Sequence, residues 1–197
     1  MKDRVIVLPR DYMRVFIAVD ITNDDVLEKL VRARDLLLKS KADLKPVSRE
    51  NMHITLRFIG EIPSSLVYEI CDYMKELKFS PFKIRVKGIG VFPTIHRPRV
   101  IWAGVDKGVE ELSRLHDDVE KILRRLHIPP QREKFIPHIT LARLRSGRNI
   151  QSLIKIIDSI ADQDFGEFMV NEVVLKRSIL TPQGPIYNDV CKVRTID

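Results

Sequence analysis

Two identical tetrapeptides, His53-Ile54-Thr55-Leu56 and His138-Ile139-Thr140-Leu141, lie 85 residues apart. Both are rich in β-branched residues and read as strands. Strand side chains alternate between faces, so His and Thr share one face while Ile and Leu share the other. Each copy therefore offers an imidazole and a hydroxyl side by side, anchored from behind by apolar residues. Imidazole titrates nearest neutral pH, so one neutral and one protonated ring can act as base and acid together. Reactions at a phosphodiester need that combination: a base for the nucleophile and an acid for the departing oxygen. A threonine hydroxyl can donate to a non-bridging phosphate oxygen, and a nearby arginine can neutralise charge that builds in the transition state. Arg57 follows Thr55 by two and is in phase with His53 and Thr55. Arg143 follows Thr140 by three, so it reaches the same face only if the strand twists or ends there.

The elements that carry these residues repeat as well. Val15–Val19 is a buried strand, and Asn23 or Asp24 caps a helix whose apolar residues Leu27, Leu30, Val31, Leu37 and Leu38 follow helical spacing. Pro46 closes a short extended piece, the first His-Thr strand ends at Gly60, and Pro63 opens a second helix. Phe82–Val91 alternates as a strand ended by Phe92-Pro93, and 94–98 is a loop. The pattern then restarts. Arg14-Val-Phe-Ile-Ala18 corresponds to Arg99-Val-Ile-Trp-Ala103, and Leu27, Leu30, Leu37 and Leu38 to Leu112, Leu115, Ile122 and Leu123, all at the offset of 85. A helix over 150–160, a long strand over 168–180, a Gly184-Pro185 turn and a last strand over 186–193 follow. Helices segregated beside antiparallel strands make an α+β fold. The expectation is one bilobal domain over 1–197, with an internal repeat of about 14–60 and 99–145. The duplicated lobes bring the two His-Thr strands together about a pseudo-twofold axis, facing one central cleft.

Composition narrows the setting. The 197 residues carry a net charge of +7 and 31% charged side chains, which favours a polyanionic partner without demanding one. The apolar run near Met1 is too short for a signal peptide, and no stretch approaches the length of a membrane span. Cys71 and Cys191 form no CxxC and give no framework signal, so a reducing cytoplasm is expected. Many Lys, Arg and Glu against few Asn and Gln hint at a heat-loving source. A zinc site is disfavoured because no Cys or carboxylate sits at ligand spacing beside either motif, and no Gly-flanked serine suggests a nucleophile elbow. His96 lies in a loop beside Arg97 and Arg99, while His116 and His127 belong to a helix or its end. Phe16 and Tyr187 have the chemistry to stack on a base, although packing is the plainer reading for them, as it is for Trp102. Arg132, Lys134, Arg145 and Arg148 flank the second motif.

The residues resemble the two-histidine phosphoesterases, and within them the RNA 2′,3′-cyclic phosphodiesterases once called 2′-5′ RNA ligases. The resemblance rests on Arg14-Val-Phe16-Ile-Ala18, Asn51-Met-His53-Ile-Thr55-Leu-Arg-Phe58-Ile-Gly60, Gly90-Val-Phe92-Pro93, Pro98-Arg99-Val-Ile-Trp102, Phe135-Ile-Pro137-His138-Ile-Thr140-Leu-Ala-Arg143 and Ser178-Ile-Leu180-Thr-Pro-Gln-Gly184-Pro-Ile-Tyr187. It spans almost the whole chain. It implies hydrolysis of an RNA or oligonucleotide 2′,3′-cyclic phosphate end to a 2′-phosphate, without metal or cofactor; a monomer with no membrane partner is expected. It implies His53 and His138 as the acid-base pair, His53 the acid and His138 the base. Thr55, Thr140 and Arg143 would hold the phosphate. Arg57, Arg97, Arg99 and Arg132 are the candidate RNA contacts. The same two imidazoles run in reverse would make a 2′-5′ ligase, and a non-catalytic nucleotide- or RNA-binding module is the reading from another class.

Overall fold

The computed structural model describes residues 11–195; the apolar run at Met1–Pro9 lies outside them. Nine strands and four α-helices follow in the order β1 (Tyr12–Asp20), α1 (Asp24–Leu38), β2 (Leu44–Pro46), β3 (His53–Pro63), α2 (Ser64–Met74), β4 (Phe82–Thr94), β5 (Arg97–Lys107), α3 (Val109–Arg125), β6 (His138–Leu144), α4 (Ile150–Ser159), β7 (Asp164–Val170), β8 (Glu172–Thr181) and β9 (Gly184–Arg194). Helix α1 starts at Asn23, whose side chain accepts from the amides of Asp25 and Val26 at 2.9 and 3.3 Å. Asp24 and Asp25 then sit at the positive end of the helix dipole.

All nine strands join one sheet, in the order β7-β4-β5-β6-β3-β1-β8-β9, with β2 paired to β6. Every pairing is antiparallel. The two His-Thr strands are neighbours, and Ile54 pairs with Ile139, its own equivalent at the offset of 85. A pseudo-twofold axis thus passes through that pair. The offset also extends past the segments where sequence similarity shows it. Val15 pairs with Arg177 and Val100 with Phe92, which makes β8 the counterpart of β4. Each repeat therefore lends its last strand to the other half: β4 joins β5, and β8 joins β1.

The sheet curls. Strands β7 and β8 are consecutive in the chain, separated only by Asn171, yet they lie near opposite ends of the strand order. This is possible only if the two halves bend toward each other. The sequence suggested one long strand over 168–180; the break at Asn171 lets the chain pass from one half to the other. The 94–98 segment is also tighter than its proline and arginine content suggests. Strand β4 runs on through Phe92-Pro93 to Thr94 and pairs with Arg97 across a two-residue turn.

The helices cover the Ile/Leu face. Ile54, Leu56, Ile139 and Leu141 are at most 1% exposed. Helix α3 packs on β3, α1 on β6 and β7, and α2 on β1, β3 and β9. Helices of each repeat so reach strands of the other. One bond corrects the sequence reading: Cys71 of α2 and Cys191 of β9, 120 positions apart in sequence, form a disulfide with Cα atoms 6.0 Å apart. A lone cysteine pair gives no spacing signal; only the seat of α2 against β9 brings the two thiols together. Such a bond fits a heat-loving source even inside a cell.

Candidate active site

The face of β3 and β6 opposite the helices floors a cleft of about 1030 Å³, which His53, Thr55, His138, Thr140 and Arg143 all line. Both imidazoles are oriented by one device. The Nδ1 of His53 donates to the carbonyl of Asn51 at 2.8 Å, and that of His138 to the carbonyl of Ile136 at 2.6 Å. Each acceptor lies two residues upstream. A carbonyl oxygen can only accept, so Nδ1 carries the hydrogen and Nε2 is left to exchange a proton. In the first motif the Thr55 hydroxyl donates to that Nε2 at 2.9 Å.

Aromatic rings hem in both histidines. Phe16 lies 4.9 Å from the His53 ring centre and Tyr187 meets it edge-on at 5.5 Å. Phe92 and Trp102 stand 5.0 and 5.8 Å from His138. Burial disfavours the charged form. It drives the His53 pKa down to about 4, against the opposing pull of the Asn51 hydrogen bond and the Asp20 carboxylate. His138 is also lowered, by burial first, with the Arg143 charge adding to it and the Ile136 bond opposing.

A matched pair of bulges decides which basic residues reach the cleft. Ile17 pairs with Arg57 and the next residue, Ala18, pairs with Thr55, so Leu56 is extra. In β6, Trp102 pairs with Thr140 and Ile101 with Ala142, so Leu141 is extra at the equivalent position. An extra residue reverses the alternation beyond it. Leu56 and Arg57 are both buried, as are Leu141 and Ala142, while Phe58 and Arg143 come back to the cleft. Arg143 thus reaches the site through a bulge rather than a twist or strand end. Arg57 does not reach it, which corrects the reading of Arg57 as an RNA contact. It is 9% exposed, forms an ion pair with Glu120 of α3, and donates to the carbonyls of Phe58 and Pro129. The adjacent bulge carbonyl, of Leu56, accepts from His116 Nδ1 at 2.9 Å, and the His116 ring stacks on Phe135 at 4.4 Å. His116 is therefore structural.

The structure does not bring Arg97, Arg99 or Arg132 to the cleft either. All three are exposed, none lines it, and the same holds for His96. His96 belongs to the β4–β5 turn, Arg97 and Arg99 to β5, and Arg132 to the segment before β6. In their place stand Lys45, Arg14 and Ser178, to which sequence reasoning gave no role in the chemistry, and Tyr187, for which it preferred packing to base stacking. Lys45 of β2 pairs with Arg143, and both line the cleft. Arg14, Ser178 and Tyr187 form part of the first-half wall. Phe16 is 4% exposed and serves as a support under His53 rather than as an open stacking surface. The signal for Lys45 was its place in a short extended piece just before the motif. Among the described residues, no three His, Cys, Asp or Glu side chains are grouped so as to hold a metal ion, and no helix is long and apolar enough to cross a membrane.

Comparison with known proteins follows this geometry. The profile of the family described as LigT like phosphoesterase matches twice, over residues 19–102 and 104–187. The chain is 42% identical over 166 residues to a protein of Aeropyrum pernix named RNA 2′,3′-cyclic phosphodiesterase, covering 84% of this chain and 94% of that one. A protein of the same name from Archaeoglobus fulgidus is 38% identical over 178 residues, covering 90% and 98%. Among solved structures, one from Thermus thermophilus superposes with a TM-score of 0.75 at 30% identity, covering 92% of this chain and 97% of that one. LigT of Escherichia coli complexed with 3′-AMP gives 0.77 at 20% identity, covering 95% and 100%, a likeness of fold. Curled sheet, paired His-Thr strands and a doubled profile match agree, and the chain belongs to the LigT like phosphoesterase family.

Proposed function

We propose that this protein hydrolyses 2′,3′-cyclic phosphate ends of RNA to 2′-phosphates, the two histidines acting as base and acid. The observation that carries the reading is the pair of equivalent imidazoles on adjacent strands, each with Nδ1 tied to a carbonyl so that Nε2 is the proton-exchanging atom. The Thr55 hydroxyl that meets His53 Nε2 in the free site turns to the phosphate when it binds. Relatives named RNA 2′,3′-cyclic phosphodiesterase support the substrate. A cyclic phosphate bound between the strands takes hydrogen bonds from Thr55 and Thr140 and an ion pair from Arg143, with Lys45 beside it. One Nε2 takes a proton from water as it attacks phosphorus. The other gives its proton to the departing 3′-oxygen. All three roles are filled by side chains, so the chemistry requires no metal. Residues 1–197 act as one bilobal unit, because both motifs are needed at one phosphate, and a monomer is sufficient. Of the two imidazoles, His53 is the more strongly driven toward its neutral form. Burial disfavours the charged form of both rings in the free site, so the acid gains its proton only beside the negative charge of the bound phosphate. A substrate with an activated 3′-leaving group separates the two: only the variant lacking the acid recovers.

The test is turnover of a short RNA ending in 2′,3′-cyclic phosphate in the presence of EDTA. The expected product is a 2′-phosphate end, with His53→Ala and His138→Ala each slower by at least about 100-fold. Thr55→Ala and Thr140→Ala each remove one hydrogen bond to a charged oxygen, about 1.5–3 kcal/mol, and are milder. Loss of turnover in EDTA that a divalent ion restores would contradict the mechanism. So would two folded His→Ala variants that each keep more than a tenth of the rate.

A further inference from the structure

The repeat breaks its symmetry at the wall of the cleft. Positions 58 and 143 are equivalent, yet one is Phe and the other Arg. Arg143 serves the second half from β6. In the first half the cation comes from the neighbouring strand: the guanidinium carbon of Arg14, on β1, lies 4.6 Å from the centre of the Phe58 ring. Its own counterpart, Arg99, is exposed and off the cleft. Among the described residues Arg14 has no carboxylate partner, although eight other arginines do. A positive charge is held over an aromatic ring at the cleft wall, with no carboxylate on it.

The wall continues past Arg14 onto the β8–β9 hairpin. Val15 pairs with Arg177, so Ser178 is the next residue beside Arg14, and Ser178 in turn pairs with Tyr187. One step further out, Ile179 pairs with Ile186 and Leu180 with Pro185. Leu180, 66% exposed, and its partner Pro185 share the face of Ser178 and Tyr187 and line the cleft, while Ile179 and Ile186 fall on the alternate face. The hairpin is fixed in place: Asn51 donates to the carbonyl of Pro185 at 2.9 Å, and the disulfide at Cys191 ties β9 to α2. An unpaired arginine followed by an exposed aliphatic platform matches the order in which a single RNA strand presents a phosphate and a base. Arginine recognises phosphate oxygens through paired donors, and a base can lie on an apolar surface.

We propose that Arg14 and the Leu180/Pro185 tip form a second subsite, for the nucleotide that precedes the cyclic end. Arg14 takes the internucleotide phosphate, and the preceding base lies on Leu180 and Pro185. The substrate class is then an RNA chain of at least two nucleotides rather than a free cyclic mononucleotide. The inference rests on the reading of this cleft as the cyclic-phosphate site.

The experiment compares uridine 2′,3′-cyclic phosphate with the dinucleotide ApU carrying the same cyclic end. For the unmodified protein, kcat/KM is expected to favour the dinucleotide by about tenfold or more, the scale of one hydrogen-bonded charge contact. In Arg14→Gln the ratio should fall toward one, in Arg14→Lys it should fall only part of the way, and Leu180→Ser should lower it by a smaller factor. Leu180 is at the exposed tip, so that variant keeps the test alive should Arg14→Gln fail to fold. A ratio near one in the unmodified protein overturns the subsite, as does a parallel loss on both substrates in Arg14→Gln. Calorimetric binding of the mono- and dinucleotide 2′-phosphates to the unmodified and Arg14→Gln proteins gives the same ratio without turnover. If neither cyclic substrate reacts but Arg14→Gln still removes the dinucleotide preference in binding, the hydrolase reading fails and the subsite stands. If both cyclic substrates react and the two 2′-phosphates bind equally well, the subsite fails and the hydrolase reading stands.

Discussion

Arg57 is the residue on which sequence phase and structure disagree most sharply, and Glu120 is the lever that tests it. Both side chains are 9% exposed and paired across the β3–α3 interface. Removing one partner of a buried pair leaves an uncompensated charge, which costs about 3–5 kcal/mol. Glu120→Met should therefore cut stability by about 3 kcal/mol, the lower end, because the carbonyls of Phe58 and Pro129 still accept from Arg57. The double variant Arg57→Met/Glu120→Met removes both charges and keeps most of the volume, so it should lie within about 2 kcal/mol of the unmodified protein. The assay is urea unfolding of the four proteins of the cycle, with kcat/KM on a cyclic-phosphate RNA measured alongside. A structural Arg57 gives a strong coupling in stability and a double variant whose activity stays within about threefold. Additive stability losses, or a folded double variant with the activity of a catalytic knock-out, would refute the bulge argument. That outcome would return Arg57 to the cleft.

Acid should unfold the protein partly through His53. Its folded pKa, about 4, lies below the ordinary value of 6.5, so between those limits the unfolded chain binds more protons. The stabilising contribution is complete above about pH 6.5 and is lost as pH falls toward 4, by about 2 kcal/mol at pH 4.5. Urea unfolding at pH 7.5 and 4.5 should show a smaller acid loss in His53→Gln than in the unmodified protein; equal losses would mean that the ring is not held neutral. The disulfide between Cys71 and Cys191 closes a loop of 120 residues, and removing it should cost about 2–4 kcal/mol. Thermal unfolding with and without a thiol reductant should separate by that amount for the unmodified protein and not at all for Cys71→Ser. Identical curves in both would show that the bond adds nothing.

Much of the site is legible in the amino-acid order because its chemistry is local. A histidine and a threonine two apart on a strand must share a face, and one ungapped offset carries strand, helix and strand together. Arg57 and Arg143 were misplaced or left conditional for a single physical reason. A bulge adds one residue with no compositional mark, and Leu56 and Leu141 look like any other strand leucine. The cleft wall was hidden for another reason. Arg14, Lys45 and Ser178 are distant in sequence, and they meet only because β2 pairs with β6 and β8 with β1. The break at Asn171 was invisible to hydrophobic periodicity, since apolar residues stand on both sides of it, Phe168–Val170 ending β7 and Val173–Leu175 early in β8. Cysteine pairing depended wholly on where β9 lands.

The exchange of last strands between the halves means that neither repeat is a self-sufficient module. Cut at the Ile95-His96 turn, the first fragment would keep β4 without a single partner of its own, since β5 and β7 are both on the other side of the cut. The second would hold β7 equally unpartnered, because its one neighbour is β4. Each piece would display the edge the other lacks, so the two have every reason to find each other in solution. A single-repeat forerunner with this topology could have closed its sheet only as a pair of identical chains, each lending an arm to its twin. Gene fusion would have turned that handshake into a covalent one. It would also have released the two copies from identity, so that one could place Arg at position 143 while the other placed Phe at 58.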